Sequence, residues 1–253
     1  MSLPRIGRIH IVFFLFRMAT PAYTVTCTKK ALIAPGVYEV RFSKPEGFSF
    51  KAGQFVLFDV ALKDNPADIQ TRAYSLASSP AESDLVFVVK LKSGGRGSVW
   101  IEELLSVGST VRMQGPFGLF LLKEAEPAYV LVATGAGIAP FRSQAKWLLE
   151  EKGDTRPLTV LFGVREPADF FWLDTFEDLA KRFPHFTFMP TLSGTDSSWT
   201  GLRGRVLAHL PSALTSGSGV YICGAPEMVK DVKDACLGAL GLSKIQVHAE
   251  GYI

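Results

Sequence analysis

Val130-Leu-Val-Ala-Thr-Gly-Ala-Gly-Ile-Ala-Pro140-Phe-Arg-Ser143 decides the fold of this 253-residue chain. Its apolar run has no polar alternation, the pattern of a strand covered on both faces. Gly135 and Gly137 then make a tight turn where backbone can approach a diphosphate closely. Pro140 suits the first turn of a helix, where its missing N–H costs nothing. The unpaired N–H groups of that helix start favour an anion. A glycine pair alone fits a turn that binds nothing; its place between a buried strand and a helix points to a nucleotide.

Toward the C-terminus, apolar runs at Tyr129–Ala133, Leu158–Gly163, Phe186–Leu192, Val220–Cys223 and Ile245–His248 read as five parallel strands. They alternate with helical segments at Pro140–Glu151, Ala168–Arg182, Val206–His209 and Glu227–Leu240. Such alternation predicts a doubly wound α/β domain over residues 126–253. In Tyr221-Ile-Cys-Gly-Ala-Pro-Glu-Met228 it puts Cys223 at the carboxyl edge of the sheet, where α/β domains bind ligands. A buried cysteine is more often a small hydrophobe without chemistry. The chain finishes Glu250-Gly-Tyr-Ile253, and a terminal aromatic is usually a frayed end.

Toward the N-terminus the texture changes at Glu126-Pro127. Short β-rich runs (Val37–Phe42, Phe55–Val60, Leu85–Lys90, Thr110–Met113) are broken by turn residues and by one helix over Ser98–Leu105. They predict an antiparallel barrel or sandwich over residues 19–125. Within it stands Thr71-Arg-Ala-Tyr-Ser-Leu-Ala-Ser78. On a strand, Arg72 and Tyr74 share one face and Ser75 turns to the other. A guanidinium fork, an aromatic plane and a small hydroxyl suit a ligand with phosphate at one end and a flat ring at the other. An ordinary half-buried strand with an exposed arginine fits these four residues as well.

Composition narrows the classes. Apolar content of 47% and charged content of 20% describe a globular chain. Through residue 125 there are 15 basic and 10 acidic residues, and 12 and 14 beyond it, so no dense basic stripe for nucleic acid exists. A modest basic face in the first half still suits an acidic partner protein. Cys27, Cys223 and Cys236 are odd in number and widely spaced, which suits neither a disulfide framework nor a metal or iron–sulfur site and points to a reducing cytoplasm. Residues 1–18 read as an extension outside the fold. Their apolar run Ile9–Phe16 is far shorter than the roughly 20 residues that span a bilayer.

In order and spacing the motifs resemble the ferredoxin–NADP reductase superfamily, from about Ala22 to Ile253. The likeness rests on Ala52-Gly-Gln-Phe55, Arg72-Ala-Tyr-Ser75, Gly97-Ser98 and Gly115-Pro-Phe-Gly118 in the first half. In the second it rests on Gly135-Ala-Gly-Ile-Ala-Pro140, Cys223-Gly224 and Glu250-x-Tyr252. It implies a six-stranded antiparallel flavin-binding barrel followed by a five-stranded parallel nucleotide domain. Arg72 would then hold the flavin phosphate, Tyr74 would stack on the isoalloxazine, and Ser75 would sit near its N5. Backbone of Val88, Val89 and Lys90 would touch the cofactor, with Gly97 and Ser98 at the pyrophosphate. Thr134, Gly135, Gly137, Pro140 and Gly224 would line the nicotinamide nucleotide. Cys223 would flank the nicotinamide ring, Glu250 would balance proton or charge, and Tyr252 would cover the other flavin face. Ser75, Cys223 and Glu250 form the expected catalytic set. Departures from the family pattern are Ala136 for a threonine, Ala52 for a proline, Ala225 within the Cys-Gly-x-Pro turn and Ile253 after the terminal tyrosine.

The resemblance implies a monomeric oxidoreductase that takes hydride from NAD(P)H onto FAD, in preference to FMN, and passes electrons to an external ferredoxin or oxygenase component. NADH is expected over NADPH, because the third nucleotide-domain strand ends Thr191-Leu-Ser-Gly-Thr-Asp196 without a base, while Arg203 and Arg205 lie further along. Neither nucleic acid, membrane span nor metal is expected. Two other readings use the same motifs: an NADH-dependent flavin reductase that releases reduced flavin, and a non-catalytic electron-transfer or regulatory subunit.

Overall fold

The computed structural model describes residues 20–251. The extension 1–18, together with Tyr252, lies outside the described residues.

The first sheet is antiparallel and six-stranded: β1 (Ala22–Ala34), β2 (Val37–Ser43), β3 (Phe55–Leu62), β4 (Asn65–Ser75), β5 (Asp84–Lys90) and β6 (Thr110–Phe117). Their order is β4-β3-β6-β1-β2-β5. Beyond Ser75 the chain crosses to the far edge, where the Ala77 N–H donates to the Val86 carbonyl at 2.8 Å. Phe42, Phe58, Phe87 and Leu85 fill the interior with almost no exposed surface. Alternate residues of β3 (Val56, Phe58, Val60) are buried, the period-2 pattern of a strand with one face on a core.

The expected helix at Ser98–Leu105 begins earlier. Helix α1 spans Arg96–Val99 with Gly95 as its cap and continues as a π-helical turn over Trp100–Leu104. Arg96 draws the start back, since its guanidinium pairs with Asp68 of β4 at 2.8 Å.

The second sheet is parallel: β7 (Tyr129–Thr134), β8 (Leu158–Val164), β9 (Phe186–Leu192), β10 (Leu202–Arg203), β11 (Gly219–Gly224) and β12 (Val247–Gly251). Its order is β10-β9-β8-β7-β11-β12. The five expected strands thus gain the two-residue β10, held where Gly204 N–H donates to the Leu192 carbonyl and Thr191 Oγ1 to the Gly204 carbonyl, both at 2.8 Å. The strand order reverses between β7 and β11, so the glycine turn after β7 and the end of β11 flank the crevice where such sheets take ligands.

The helices are α2 (Ala139–Lys146), α3 (Leu173–Arg182), α4 (Val206–Ala213) and α5 (Pro226–Leu237). The segment expected as one helix over Ala168–Arg182 is broken. A 3₁₀ turn at Pro167–Asp169 is followed by Phe170 and Phe171, whose rings pack on Phe162 at 5.7 and 5.6 Å. Trp172 then adopts a left-handed φ of 58° before α3 starts. Helix α4 runs past its expected end through Pro211, and β12 starts only after a turn at Lys244–Gln246. One apolar cluster joins Val37, Val86 and Val88 of the first sheet and Ala77 beyond β4 to Tyr129, Leu131 and Phe162 of the second sheet and Phe141 of α2, so the two halves share an apolar contact.

Candidate active site

Ser75 ends β4 with 7% of its surface exposed, and its hydroxyl donates to Glu250 Oε1 at 3.4 Å, across 175 positions of sequence. Glu250 stands on β12 directly opposite Cys223 of β11 in the parallel register. The fold therefore brings the three expected catalytic residues to one place, where the first half of the chain meets the carboxyl edge of the second sheet. Cys223 has no exposed surface. Burial pushes the Glu250 carboxyl above its ordinary value, and the Ser75 hydrogen bond pulls the other way without cancelling it.

That shift has a stability signature. A carboxyl that binds its proton more tightly folded than unfolded contributes fully below its ordinary value of 4.5, and the contribution is lost as pH rises through the raised value. Glu250→Gln removes that loss. The melting temperature of the variant minus that of the wild type is expected to climb from pH 4.5 toward neutrality and then level off. A difference that stays flat with pH would contradict the raised carboxyl.

Arg72 and Tyr74 lie on the strand that leads to Ser75. The Tyr74 ring packs on Phe58 and Trp100 with centroids 5.8 and 6.3 Å away. Burial raises its phenol pKa to about 12 against the opposing charge of Arg72. Its hydroxyl sits over Gly97, where a Cβ would come within 2.7 Å, so β4 and α1 meet through a residue without a side chain. Ser98 Oγ accepts from Lys92 N–H at 2.7 Å and ties the preceding loop to α1. Arg72 donates to the Thr71 carbonyl and to Gln70 Oε1 and has no carboxylate partner among the described residues. An arginine without a counter-ion, an aromatic ring and a glycine-lined helix start fit a flavin with its phosphates.

At the carboxyl edge of the second sheet, against Val37 of β2 and Lys90 of β5, opens a cavity of about 580 Å³, within the usual size of a cofactor site; Arg72, Tyr74, Ser75, Cys223 and Glu250 are not in its wall. Thr134, Gly135, Gly137, Gly224 and Lys90 line it. Gly135 has a φ of +52° with open space where a Cβ would stand, so ligand and backbone can come close there. Gly137 answers a different need: a Cβ there would lie 2.2 Å from the Cys223 carbonyl oxygen. Thr134 Oγ1 accepts from Ala225 N–H at 3.3 Å, which locks the turn after β7 to the turn after β11.

Pro140, expected to line the nucleotide, is buried in the first turn of α2 and is not part of the cavity wall. Val88 and Val89 are buried on opposite faces of β5, one toward the second sheet and the other inside the barrel. Of the three β5 residues only Lys90 reaches the cavity. Sequence reasoning missed Val37, Arg165, Ser193 and Met228, all in the wall, and named Arg205 without placing it there. Arg165, Ser193 and Arg205 follow the ends of β8, β9 and β10, so the carboxyl-edge rule applied to every strand would have found them. Among the described residues no group of three or more His, Cys, Asp or Glu could hold a metal ion, and no helix is long and apolar enough to cross a membrane.

The comparisons with known proteins agree across the chain. Residues 24–121 match the family model of the oxidoreductase FAD-binding domain, and residues 131–234 that of the oxidoreductase NAD-binding domain. Ferredoxin–NADP reductase B of Sorangium cellulosum is 38% identical over 232 residues, covering 87% of this chain and 93% of that protein. The reductase component of phenol 2-monooxygenase from Pseudomonas sp. (strain CF600) is 33% identical over 205 residues, with 78% of this chain matched to 56% of that longer protein. A crystal structure of an Amycolatopsis cytochrome P450 reductase superposes with a TM-score of 0.80 at 28% identity, covering 93% of this chain and 71% of that one. Matches to an FAD-binding and an NAD-binding domain family, with 38% identity over 87% of the chain to a ferredoxin–NADP reductase, make this chain a member of the ferredoxin–NADP reductase superfamily of flavoprotein oxidoreductases.

Proposed function

We propose that the chain takes hydride from NAD(P)H onto FAD and delivers electrons to a separate ferredoxin-like or oxygenase protein. The observation that carries this reading is the Ser75–Glu250 contact at 3.4 Å, at the joint between the two sheets. When bound, the flavin supplies the exchange between two-electron and one-electron chemistry. The chain's own residues bind, orient and exclude water. Arg72 pairs with the flavin phosphate and Tyr74 carries the ring. Ser75 keeps its hydroxyl proton directed at Glu250 Oε1 and would hold that carboxyl in place for a bound flavin. Backbone at Thr134–Gly137 and Gly224 would present the nicotinamide nucleotide, with the fully buried Cys223 behind that turn. A monomer in the cytoplasm belongs to the same proposal.

NADH is the preferred donor in this reading. The turn after β9 carries Ser193 and Asp196 but no cation, and the Arg203 guanidinium is held by the carbonyls of Asp196 and Trp199 at 2.7 and 2.6 Å. Arg165 and Arg205, both in the cavity wall, are the arginines on which any NADPH use depends. We expect kcat/KM for NADH to exceed that for NADPH by about tenfold, roughly 1.4 kcal/mol. A preference for NADPH that Arg205→Ala abolishes would reverse the assignment.

The deciding experiment is extraction of flavin from the purified chain, followed by anaerobic titration with each nucleotide. FAD retained at one per chain and bleached by NADH is the expected result. Flavin that washes away, yet is reduced when added back, would favour the flavin reductase. A chain that no nucleotide reduces, with or without added flavin, would overturn the reading.

A further inference from the structure

Helix α2 is buried from Ala139 to Ala145, polar residues included. Most buried polar side chains are hydrogen-bonded; Arg142 Nε, Ser143 Oγ and Gln144 Oε1 find no partner among the described residues, so the bonds the helix does make carry its attachment. Arg142, 7% exposed, sends Nη1 to the Ala77 carbonyl at 2.7 Å. The same guanidinium grips Glu82 with both nitrogens at 2.9 Å. Gln144 donates to the Phe120 carbonyl at 2.7 Å, and at the end of the π-helical continuation of α2 (Trp147–Glu151) Glu151 accepts from the Ala81 N–H at 3.1 Å. Every one of these ties runs from the helix of the nucleotide turn to the flavin-side half of the chain.

The partners of Arg142 are themselves fixed. Ala77 stands two residues beyond Ser75, and this strap is pinned by Leu76 N–H to the Gln54 carbonyl at 2.9 Å and Ala77 N–H to Val86 at 2.8 Å. The other face of the guanidinium covers the Trp172 indole, 5.3 Å from its centroid. That indole donates to Glu39 Oε2 at 2.7 Å, and Glu39 also takes Lys29 and Arg41. Trp172 takes its left-handed φ of 58° at this joint. Arg142 lies seven residues after Gly135, so one guanidinium connects the glycine turn to the strand end that carries Ser75.

We infer that Arg142 is a positioning residue for hydride transfer: its fork on Glu82 and Ala77, seated on Trp172, fixes the nucleotide turn relative to Ser75. The inference rests on the proposed reading of the Ser75–Glu250 site. It separates Arg142 from residues that only bind nucleotide, because Arg142 is not part of the cavity wall. Misplacement of reacting groups by about 1 Å costs orders of magnitude in rate while leaving binding contacts in place.

The test uses the flavin-loaded full chain with Arg142→Ala, Arg142→Lys, Trp172→Phe and Glu82→Gln. Stopped-flow reduction separates the limiting rate from the NADH dissociation constant, and hydrogen exchange follows the peptides that contain residues 75–79 and 139–146. For Arg142→Ala we expect a limiting rate lower by about tenfold, a dissociation constant within about twofold of wild type, and faster exchange in both peptides. Arg142→Lys restores part of the rate, since one donor still reaches Ala77 or Glu82. If Arg142→Ala does not fold, Glu82→Gln and Arg142→Lys decide by the same readouts. Wild-type limiting rates and exchange in these variants would overturn the positioning role, as would a change confined to the dissociation constant. A wild-type chain that no nucleotide reduces would overturn the functional reading instead, and the exchange data would still show whether Arg142 holds the joint.

Discussion

Ser75→Ala is expected to slow reduction of bound flavin by NADH by roughly one to three powers of ten, about 1.4–4 kcal/mol of barrier. Flavin content and NADH affinity should stay near wild type. The size follows from position. Ser75 is buried, its strand is fixed in register by Phe55 of β3, and its hydroxyl has Glu250 as a partner 3.4 Å away. Alanine removes the oxygen, leaves the strand, and strands a half-buried carboxyl whose proton affinity burial has already raised. Loss of a hydrogen bond that matters only as charge develops lowers the rate without lowering affinity. Stopped-flow traces at saturating NADH measure it. A limiting rate within twofold of wild type would remove Ser75 from the chemistry, and a rate preserved at reduced flavin content would make it a cofactor holder.

How far the site could be read from the chain depends on the range of each interaction. The strand, glycine turn and helix at Val130–Ser143 were legible because the signals are local: an apolar run, two glycines and an early proline. The strand–helix alternation gave the sheet for the same reason. The meeting of Ser75 with Glu250 has no local signal, since nothing within ten residues of either one specifies the other. Only the order of the motifs and the family resemblance suggested it. The break at Trp172 was invisible because the pull on that ring comes from Glu39, 133 positions earlier. Arg205 was hard to place because it reaches the cavity only through β10, a strand too short to show a pattern. Gly137 was legible as an obligatory glycine but for a reason that lies in another strand.

Gly137→Ala follows from that reason. Its Cβ would lie 2.2 Å from the Cys223 carbonyl oxygen and 2.6 Å from Gly224 Cα. These are backbone atoms of β11, which is paired on both sides with β7 and β12 and has no room to retreat. Overpacking costs about 1–3 kcal/mol, and against a fixed backbone its upper end of about 3 kcal/mol is roughly a 6–12 °C fall in melting temperature for a chain of this size. The strand end that must move carries Cys223 and Gly224, so NADH affinity should fall with stability. Gly135→Ala is the informative contrast. Open space faces that position, and only its φ of +52° opposes a side chain, a cost of about 1–2 kcal/mol. Thermal unfolding of the two variants should therefore rank them with Gly137→Ala well below Gly135→Ala. Equal melting temperatures would mean that the turn after β7 has slack against β11, and the interlock of the two turns would then not be what holds the nucleotide crevice in shape.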